Sequence, residues 1–230
     1  MLSLTHLQFH WPKQNKPVVD ISQLEIAQGE QIFIFGPSGS GKSSLLSLLA
    51  GINVPTQGEV SLLGQPFSTL SAKKRDRFRA DHIGYIFQNF NLISYLNPIE
   101  NVILATAFSK KRAMHAIEQD GSIKQSAERL LTALELPQQY WHQSVMSLSI
   151  GQQQRVAAAR ALIGAPEIII ADEPTSALDN DNRERFISLL FQEAKKHHTS
   201  IVFVSHDLTL APLFTRSVDI TSLANTGVAQ

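Results

Sequence analysis

The chain has 230 residues, enough for one large α/β domain or for a core with a smaller attached lobe. Lys plus Arg and Asp plus Glu both number 20, so no overall charge attracts the chain to nucleic acid. The lack of cysteine excludes a disulfide framework and a thiolate metal site. No apolar run approaches the roughly 20 residues that span a bilayer, and residues 1–10 lack the pattern of a secretory signal. We therefore expect a soluble, cytoplasmic polypeptide that reaches a membrane only through a partner.

Two segments near the start have the apolar pattern of strands, residues 2–9 and residues 18–26. Trp11 lies just past the first of them, at the beginning of the connecting loop. Two interpretations of Trp11 stay open. It either packs at the edge of the core or in an exposed turn, or it provides a platform on which a flat base stacks.

Residues 36–43 form a glycine-rich loop with the sequence Gly36-Pro37-Ser38-Gly39-Ser40-Gly41-Lys42-Ser43. An apolar strand, Gln31–Phe35, precedes the loop, and a leucine-rich helix at residues 44–50 follows it, which is the context of the phosphate-loop pattern G-x-x-x-x-G-K-[ST]. Backbone N–H groups and the helix N-terminus would bind phosphate, Lys42 would reach the β- and γ-phosphates, and Ser43 would contact magnesium. A flexible glycine-serine turn with a stray lysine is the alternative, but it accounts for neither the strand nor the helix. The sequence therefore predicts a nucleoside triphosphate site.

Further strands are predicted at residues 59–63 and 83–87, with a basic and solvated helical segment at residues 73–79 between them. Gln88 lies at the carboxyl end of the second of these strands. That end of an α/β sheet is where ligands bind, although a single glutamine is a weak signal.

Residues 97–164 have helical patterns and no convincing strand. Asn97 and Glu100 predict a capping box at the start of the first helix. The basic run at residues 110–112 and the glycine at position 121 predict a surface connection.

The segment at residues 148–155, here called the signature segment, has the sequence L-S-I-G-Q-Q-Q-R and opens a helix that Ser149 would cap. The unsatisfied amides at this helix N-terminus form either a second anion site or an ordinary capped helix.

Two acidic residues, Asp172 and Glu173, follow a buried strand at residues 167–171. Asp172 is placed to hold magnesium, usually through water. Glu173 has no obvious positively charged partner in sequence and is a candidate to polarise the attacking water. A last apolar strand, Ser200–Val204, ends shortly before His206, whose position predicts contact with a γ-phosphate. The simpler alternative is a set of surface acids and an exposed histidine.

In their order and setting, these motifs resemble those of the nucleotide-binding subunit of an ATP-binding-cassette (ABC) transporter, over nearly the whole chain. Residues 84–92 and the triple glutamine resemble the subgroup paired with lipoprotein-release, macrolide-export and cell-division-type permeases. The resemblance implies an α/β fold with a phosphate-loop NTPase core, a mainly parallel sheet and an N-terminal antiparallel β subdomain. That core would comprise residues 1–88 and 164–230, and residues 89–163 would form an inserted α-helical subdomain, here called the helical lobe.

The resemblance also implies roles for single residues. Trp11 is similar in position to the adenine-stacking aromatic, Asp179 to a dimer-contact aspartate and His206 to the switch histidine. The expected catalytic residues are Lys42, Gln88, Glu173 and His206. The expected magnesium ligands are Ser43, Gln88 and Asp172. The expected ATP contacts are Trp11, Gly36, Pro37, Ser38, Gly39, Ser40, Gly41, Lys42, Ser43, Ser44, Ser149, Gly151, Gln152 and Asp179.

Ile150 departs from the family pattern, which usually has glycine at this position. A left-handed backbone at an isoleucine would cost about 1–2 kcal/mol. Because Ile150 opens a helix, we expect a helical backbone there and an amide that is still available.

The phosphate loop and the signature segment are expected on different lobes, so one chain is not expected to close both on one nucleotide. Two chains arranged head to tail would form an isologous dimer with two shared sites for ATP and Mg²⁺. The resemblance implies a transmembrane permease contacted through the Gln88 loop and the helical lobe, at the inner face of the cell membrane, for export or mechanotransmission. No direct contact with nucleic acid is expected. The alternatives are a soluble ABC-type ATPase acting on nucleic acid or ribosomes, and a phosphate-loop kinase for a small molecule.

Overall fold

The computed structural model describes residues 1–176 and 178–223. The strands are β1 (Leu2–Phe9), β2 (Val19–Ile26), β3 (Gln31–Phe35), β4 (Gln57–Leu62), β5 (Ile83–Ile86), β6 (Ile168–Asp172), β7 (Ser200–Val204) and β8 (Arg216–Asp219). The α-helices are α1 (Lys42–Leu49), α2 (Ala72–His82), α3 (Pro98–Ala107), α4 (Lys110–Asp120), α5 (Ile123–Ala133), α6 (Ile150–Leu162) and α7 (Asn180–Lys195). No helix in the described ranges is long and apolar enough to cross a bilayer.

Two sheets form the strand framework. An antiparallel sheet has the order β2-β1-β4, and a parallel sheet has the order β5-β6-β7-β3-β8. This arrangement confirms the predicted α/β class with a parallel sheet and an N-terminal antiparallel sheet.

The central strands of the parallel sheet are buried on both faces, which explains their unbroken apolar runs. Successive side chains point to opposite faces, so Phe33 and Phe203 join one hydrophobic cluster while Ile32 and Val202 join another. The first cluster includes residues of α3, α5, α6 and α7, and the second includes α1 and the antiparallel sheet. The parallel sheet therefore separates two hydrophobic cores.

Between β5 and β6 the chain is helical, as predicted. The predicted capping box is present in α3, since the Asn97 side chain accepts from the Glu100 backbone N–H and the Glu100 side chain accepts from the Asn97 N–H.

The prediction of a surface connection at residues 110–112 and Gly121 is wrong for the basic run, because residues 110–112 begin the helix α4. Ser109 caps its N-terminus, and Gly121 ends it in a left-handed conformation. Arg112 is almost fully buried and donates from Nε to the carbonyl of Ile163 and from Nη2 to that of Ala161, each at 2.8 Å. The basic run can lie in a helix because the buried guanidinium group of Arg112 donates to carbonyls at the C-terminal end of α6.

The strand β8 follows Ser200–Val204, which the apolar pattern predicts to be the last strand. This short strand pairs in parallel with β3, from Ile32 opposite Arg216 to Phe35 opposite Asp219. It has one strongly apolar residue, Val218, so its sequence carries no strand pattern of its own.

The parallel topology brings the carboxyl ends of the strands to one edge of the sheet. The phosphate loop follows β3, Gln88 follows β5, Asp172 ends β6 and His206 follows β7. Four predicted site segments that are distant in sequence therefore meet at one edge.

Candidate functional site

A cavity of about 620 Å³ lies at this edge of the sheet. Its lining combines the phosphate loop with residues from the ends of three strands. The lining residues are Val18, Ser38, Gly39, Gly41, Lys42, Ser43, Ser44, Gln88, Glu173 and His206. The structure thus brings together most of the residues predicted to contact ATP phosphates.

Close packing explains the glycine at position 41. Gly41 has φ 89°, and a Cβ there would lie 2.3 Å from the carbonyl oxygen of Val18. Gly39 has φ 80° and faces open space. The loop therefore packs closely against Val18 at Gly41 and has free space beside Gly39, an arrangement that suits anion binding.

Lys42 is the first residue of α1, and only 9% of its surface is exposed. Its Nζ donates to the carbonyl oxygens of Gly36 and Pro37, both at 2.8 Å, so the ammonium group lies over the loop. The buried Oγ of Ser40 has no hydrogen-bond partner among the described residues. An unpaired buried hydroxyl in this loop fits a site whose missing partner is a ligand.

Ser43 lies near Asp172, close enough for its hydroxyl to lower the pKa of that carboxylate. Burial and the neighbouring Glu173 raise the pKa of Asp172, and the Ser43 hydroxyl and the positive charge of Lys42 offset part of that rise. Hydroxyl and carboxylate oxygens are ligands that Mg²⁺ prefers. The side chains of Ser43 and Asp172 therefore fit a divalent cation bound beside the phosphates.

Glu173 does have a partner, one that the sequence analysis did not find. The Nδ1 atom of His206 lies 3.1 Å from Glu173 Oε2, and the two residues are 33 positions apart. Glu173 has φ 44°, an uncommon conformation for a residue other than glycine, and its backbone N–H donates to the carbonyl of Val204. This backbone geometry aims the carboxylate into the cavity beside the exposed imidazole.

The segment after Gln88 is held by α6. Arg160 donates to the carbonyl oxygens of Phe90 and Asn91, and both of these residues have left-handed backbones. Sequence reasoning missed Arg160, because a contact spanning about 70 positions leaves no local pattern.

Trp11 lies outside the cavity lining given above. It is 41% exposed, and its ring packs edge-on against Phe9 with centroids 5.0 Å apart. Trp11 thus packs partly against the core and is partly exposed, and its stacking on a base stays a prediction.

The signature segment lines a different cavity, of about 360 Å³. Ser149 caps α6, since its Oγ accepts from the Gln152 N–H and Gln152 Oε1 accepts from the Ser149 N–H. Ile150 is the first helical residue, as predicted. A Cβ on Gly151 would come within 3.3 Å of Leu178 Cδ2, so the glycine permits close contact between α6 and the segment before α7.

Among the described residues, the two cavities share no lining residue. Asp179 caps α7 by accepting from the Asn182 N–H at 3.0 Å, an interaction that lowers its pKa. Ser149, Gly151, Gln152 and Asp179 are therefore not brought to the phosphate-loop cavity within one chain.

Known proteins match this chain over most of its length. A family model described as ABC transporter matches residues 19–176. The uncharacterised ABC transporter ATP-binding protein YbbA of Escherichia coli K12 is 42% identical over 189 residues, which are 82% of this chain and 79% of that protein. The lipoprotein-releasing system ATP-binding protein LolD of Hydrogenovibrio crunogenus is 38% identical over 209 residues, which are 91% and 87% of the two chains.

A solved structure of an ATP-binding cassette is also similar to this chain. The ATP-binding cassette MJ0796 of Methanocaldococcus jannaschii has a dimeric structure in a post-hydrolysis state bound to ADP and Pi. It matches with a TM-score of 0.84 and 35% identity, over 95% of this chain and 94% of that one.

Proposed function

The chain belongs to the ABC transporter family as one of its ATPases, and we propose that two copies close around ATP to drive a membrane permease. The observation that carries the proposal is the separation of two anion-binding elements within one chain. The phosphate loop, Glu173 and His206 line one cavity, while Ser149 and the signature helix line another.

In the proposed site, the phosphate loop binds the triphosphate through its backbone amides, and Lys42 leaves its loop carbonyls to contact the β- and γ-phosphates. Ser43, Gln88 and Asp172 would hold Mg²⁺. Bound there, the ion would neutralise phosphate charge. Trp11 would stack on the adenine from its exposed face.

Glu173 is the proposed general base. Its carboxylate lies in the phosphate-loop cavity, where it can accept a proton from a water that attacks the γ-phosphate. His206, at 3.1 Å from this carboxylate, would orient it and donate to the γ-phosphate. When the γ-phosphate leaves, the contact that held His206 to the nucleotide is lost.

The second half of each site would come from a partner copy. Ser149 and Gly151, with Gln152, would present the amides of the α6 N-terminus to the γ-phosphate, and Asp179 would lie at the dimer contact. Because both halves grip the γ-phosphate, ATP favours the closed dimer and ADP does not. The dimeric state of the MJ0796 cassette supports this arrangement.

We propose that residues 89–163 act as the helical lobe and, with the Gln88 loop, contact the permease. The Arg160 contacts to Phe90 and Asn91 support a mechanical link between that loop and α6. The likeness to LolD, an ATP-binding protein of a lipoprotein-releasing system, supports a role in a transporter. Export or mechanotransmission at the inner face of the cell membrane is our finer proposal. Action on nucleic acid or ribosomes, or on a small molecule as a kinase, is not favoured by relatives named as transporter ATP-binding proteins.

The test uses Glu173→Gln, which keeps the size of the side chain but removes its ability to accept a proton. Turnover should fall about 10²–10⁴-fold while ATP still binds. The variant should therefore form a dimer in ATP and Mg²⁺ but stay monomeric in ADP, measured by size-exclusion chromatography with light scattering. Glu184→Gln, an exposed position on α7, is the matched control and should keep the parent rate without accumulating dimer.

Two results would count against the proposal. A Glu173→Gln chain that hydrolyses ATP at the parent rate would exclude Glu173 as the base. A variant that binds ATP but stays monomeric at saturating ATP and Mg²⁺ would exclude a homodimer that closes on nucleotide alone.

A further inference from the structure

The side chain of Arg183 bridges two loops at the ligand edge of the sheet. Arg183 lies in the first turn of α7, and its Nε donates to the carbonyl oxygen of Leu178 at 2.7 Å. Its Nη1 donates to Asp207 Oδ2 at 2.6 Å. Leu178 belongs to the segment that follows Glu173, and Asp207 is the residue after His206.

The two loops also meet where His206 contacts Glu173, but part of the space between them is open. A cavity of about 330 Å³ lies between them, lined by Thr175, Ser176, Arg183, Ser205, His206, Asp207 and Leu208. The guanidinium group spans this gap with donors that point in two directions, which the planar fork of arginine allows and a lysine ammonium does not reproduce.

We propose that Arg183 is a positioning residue that sets the distance between the His206 loop and the segment following Glu173. This role rests on the proposed function, because it matters only if Glu173 and His206 act together on ATP. None of the motifs in the sequence points to Arg183.

Neighbouring contacts hold the Asp207 end of the bridge in place. The other carboxylate oxygen of Asp207 accepts from the Thr209 backbone N–H at 3.1 Å and from its hydroxyl at 2.6 Å. Asp207 is therefore fixed to its own loop, and the Arg183 fork ties that loop to Leu178. His206 is 66% exposed at its side chain, so its place beside Glu173 depends largely on where its backbone is held.

The bridge lies beyond the phosphate loop, so it should affect the chemical step and leave nucleotide binding intact. Without Arg183, the His206 loop is free to move away from Glu173, and fewer bound ATP molecules meet an aligned base. Lys42 and the loop amides still bind the triphosphate. The expected signature is a lower kcat with an unchanged KM.

The experiment measures steady-state ATP hydrolysis by the full chain and its variants. Arg183→Gln should lower kcat about tenfold with the KM for ATP within about twofold of the parent. Asp207→Asn should have a similar effect, and the double variant should be no slower than the slower single variant, because both changes remove one contact. Arg216→Gln, which removes an exposed pair with Glu30, is the control and should keep the parent kcat.

Two results with an active parent would overturn the role of Arg183. The Arg183→Gln variant could keep its kcat within about twofold of the parent, or its KM for ATP could rise as its kcat falls. Losses that multiply in the double variant would also overturn it. If Arg183→Gln does not fold, as judged by circular dichroism, Asp207→Asn tests the same contact from the other loop. A parent chain that does not hydrolyse ATP would remove the proposed function and this role together.

Discussion

At the scale of single residues, Lys42 shows how backbone carbonyls can pair with a largely buried positive charge. Its ammonium group is largely buried and is paired with the carbonyls of Gly36 and Pro37. Carbonyl oxygens are weaker partners for a cation than phosphate oxygens. The loop carbonyls thus accept hydrogen bonds from Lys42, and the phosphate oxygens of a triphosphate would accept stronger ones.

We expect Lys42→Ala to weaken ATP binding by at least about tenfold, since a charge-assisted hydrogen bond is worth roughly 1.5–3 kcal/mol. Isothermal titration calorimetry with ATP and Mg²⁺ measures the change directly. Lys73→Ala, an exposed lysine on α2, should leave the affinity unchanged. An unaltered affinity in the Lys42 variant would remove this residue from the ATP site.

Glu167, at the start of the β6 region, provides a second example at this scale. It binds His82, with Nδ1 and Oε2 2.9 Å apart, and it accepts from Lys111 Nζ. Burial alone would raise its pKa, but these two partners outweigh burial and lower the pKa of Glu167 from 4.5 to about 2.

A lowered carboxylate pKa stabilises the fold at neutral pH, and this contribution is lost as the pH falls from 4.5 towards 2. We expect Glu167→Gln to lower the free energy of unfolding at pH 7 by about 1–3 kcal/mol. The difference between variant and parent should shrink below pH 4.5. Urea unfolding at pH 7, 4.5 and 3.5 checks this, and a difference that stays constant with pH would contradict the assignment.

At the scale of elements, α4 provides hydrogen-bond donors to the C-terminal end of α6. Arg112 on α4 donates to carbonyls at the C-terminal end of α6, whose N-terminus carries the signature segment. Burial lowers the pKa of Arg112 to about 10, so the side chain is still charged at pH 7. A charge at this helix end also complements the helix dipole.

Arg112→Met should lower the free energy of unfolding by about 2–4 kcal/mol, because buried carbonyls lose their donors. Urea titration monitored by circular dichroism measures the loss. Lys110→Met, on the exposed side of the same helix, should change stability by less than about 0.5 kcal/mol. Equal effects of the two substitutions would show that the contacts to α6 contribute little.

At the scale of the whole molecule, each chain of the proposed dimer would contribute one half of each of two ATP sites. This arrangement predicts that two defective chains can complement each other. Lys42→Ala damages the phosphate loop and leaves the signature segment intact, whereas Ser149→Arg does the reverse. A mixed dimer then contains one intact site.

Each variant alone should be nearly inactive. An equimolar mixture should recover about a quarter of the parent ATPase activity, since half of randomly formed dimers are mixed and each has one working site of two. Activity is measured as phosphate release over a range of protein concentrations. A mixture no more active than the sum of its separate components would argue against shared sites.

Most of the local elements could be predicted from the sequence, with β8 and the start of α4 as exceptions. The strands at Leu2–Phe9, Gln31–Phe35 and Ser200–Val204 have the bounds predicted from their apolar runs. The caps of α3 and α6 were also predicted, because a cap pairs residues three positions apart and so leaves a signature in adjacent letters. The phosphate loop is recognisable for the same reason, as its function depends on contiguous backbone.

The contacts between segments that are distant in sequence depend on the tertiary structure. The contact of Glu173 with His206, the fork from Arg183 to Asp207 and the pairing of β8 with β3 all depend on the order of strands in the parallel sheet. That order also places the phosphate loop and the signature segment on separate cavities. Local patterns arise from hydrogen bonds within a few residues, whereas sheet order reflects how two hydrophobic cores are buried together, which no short stretch of sequence contains.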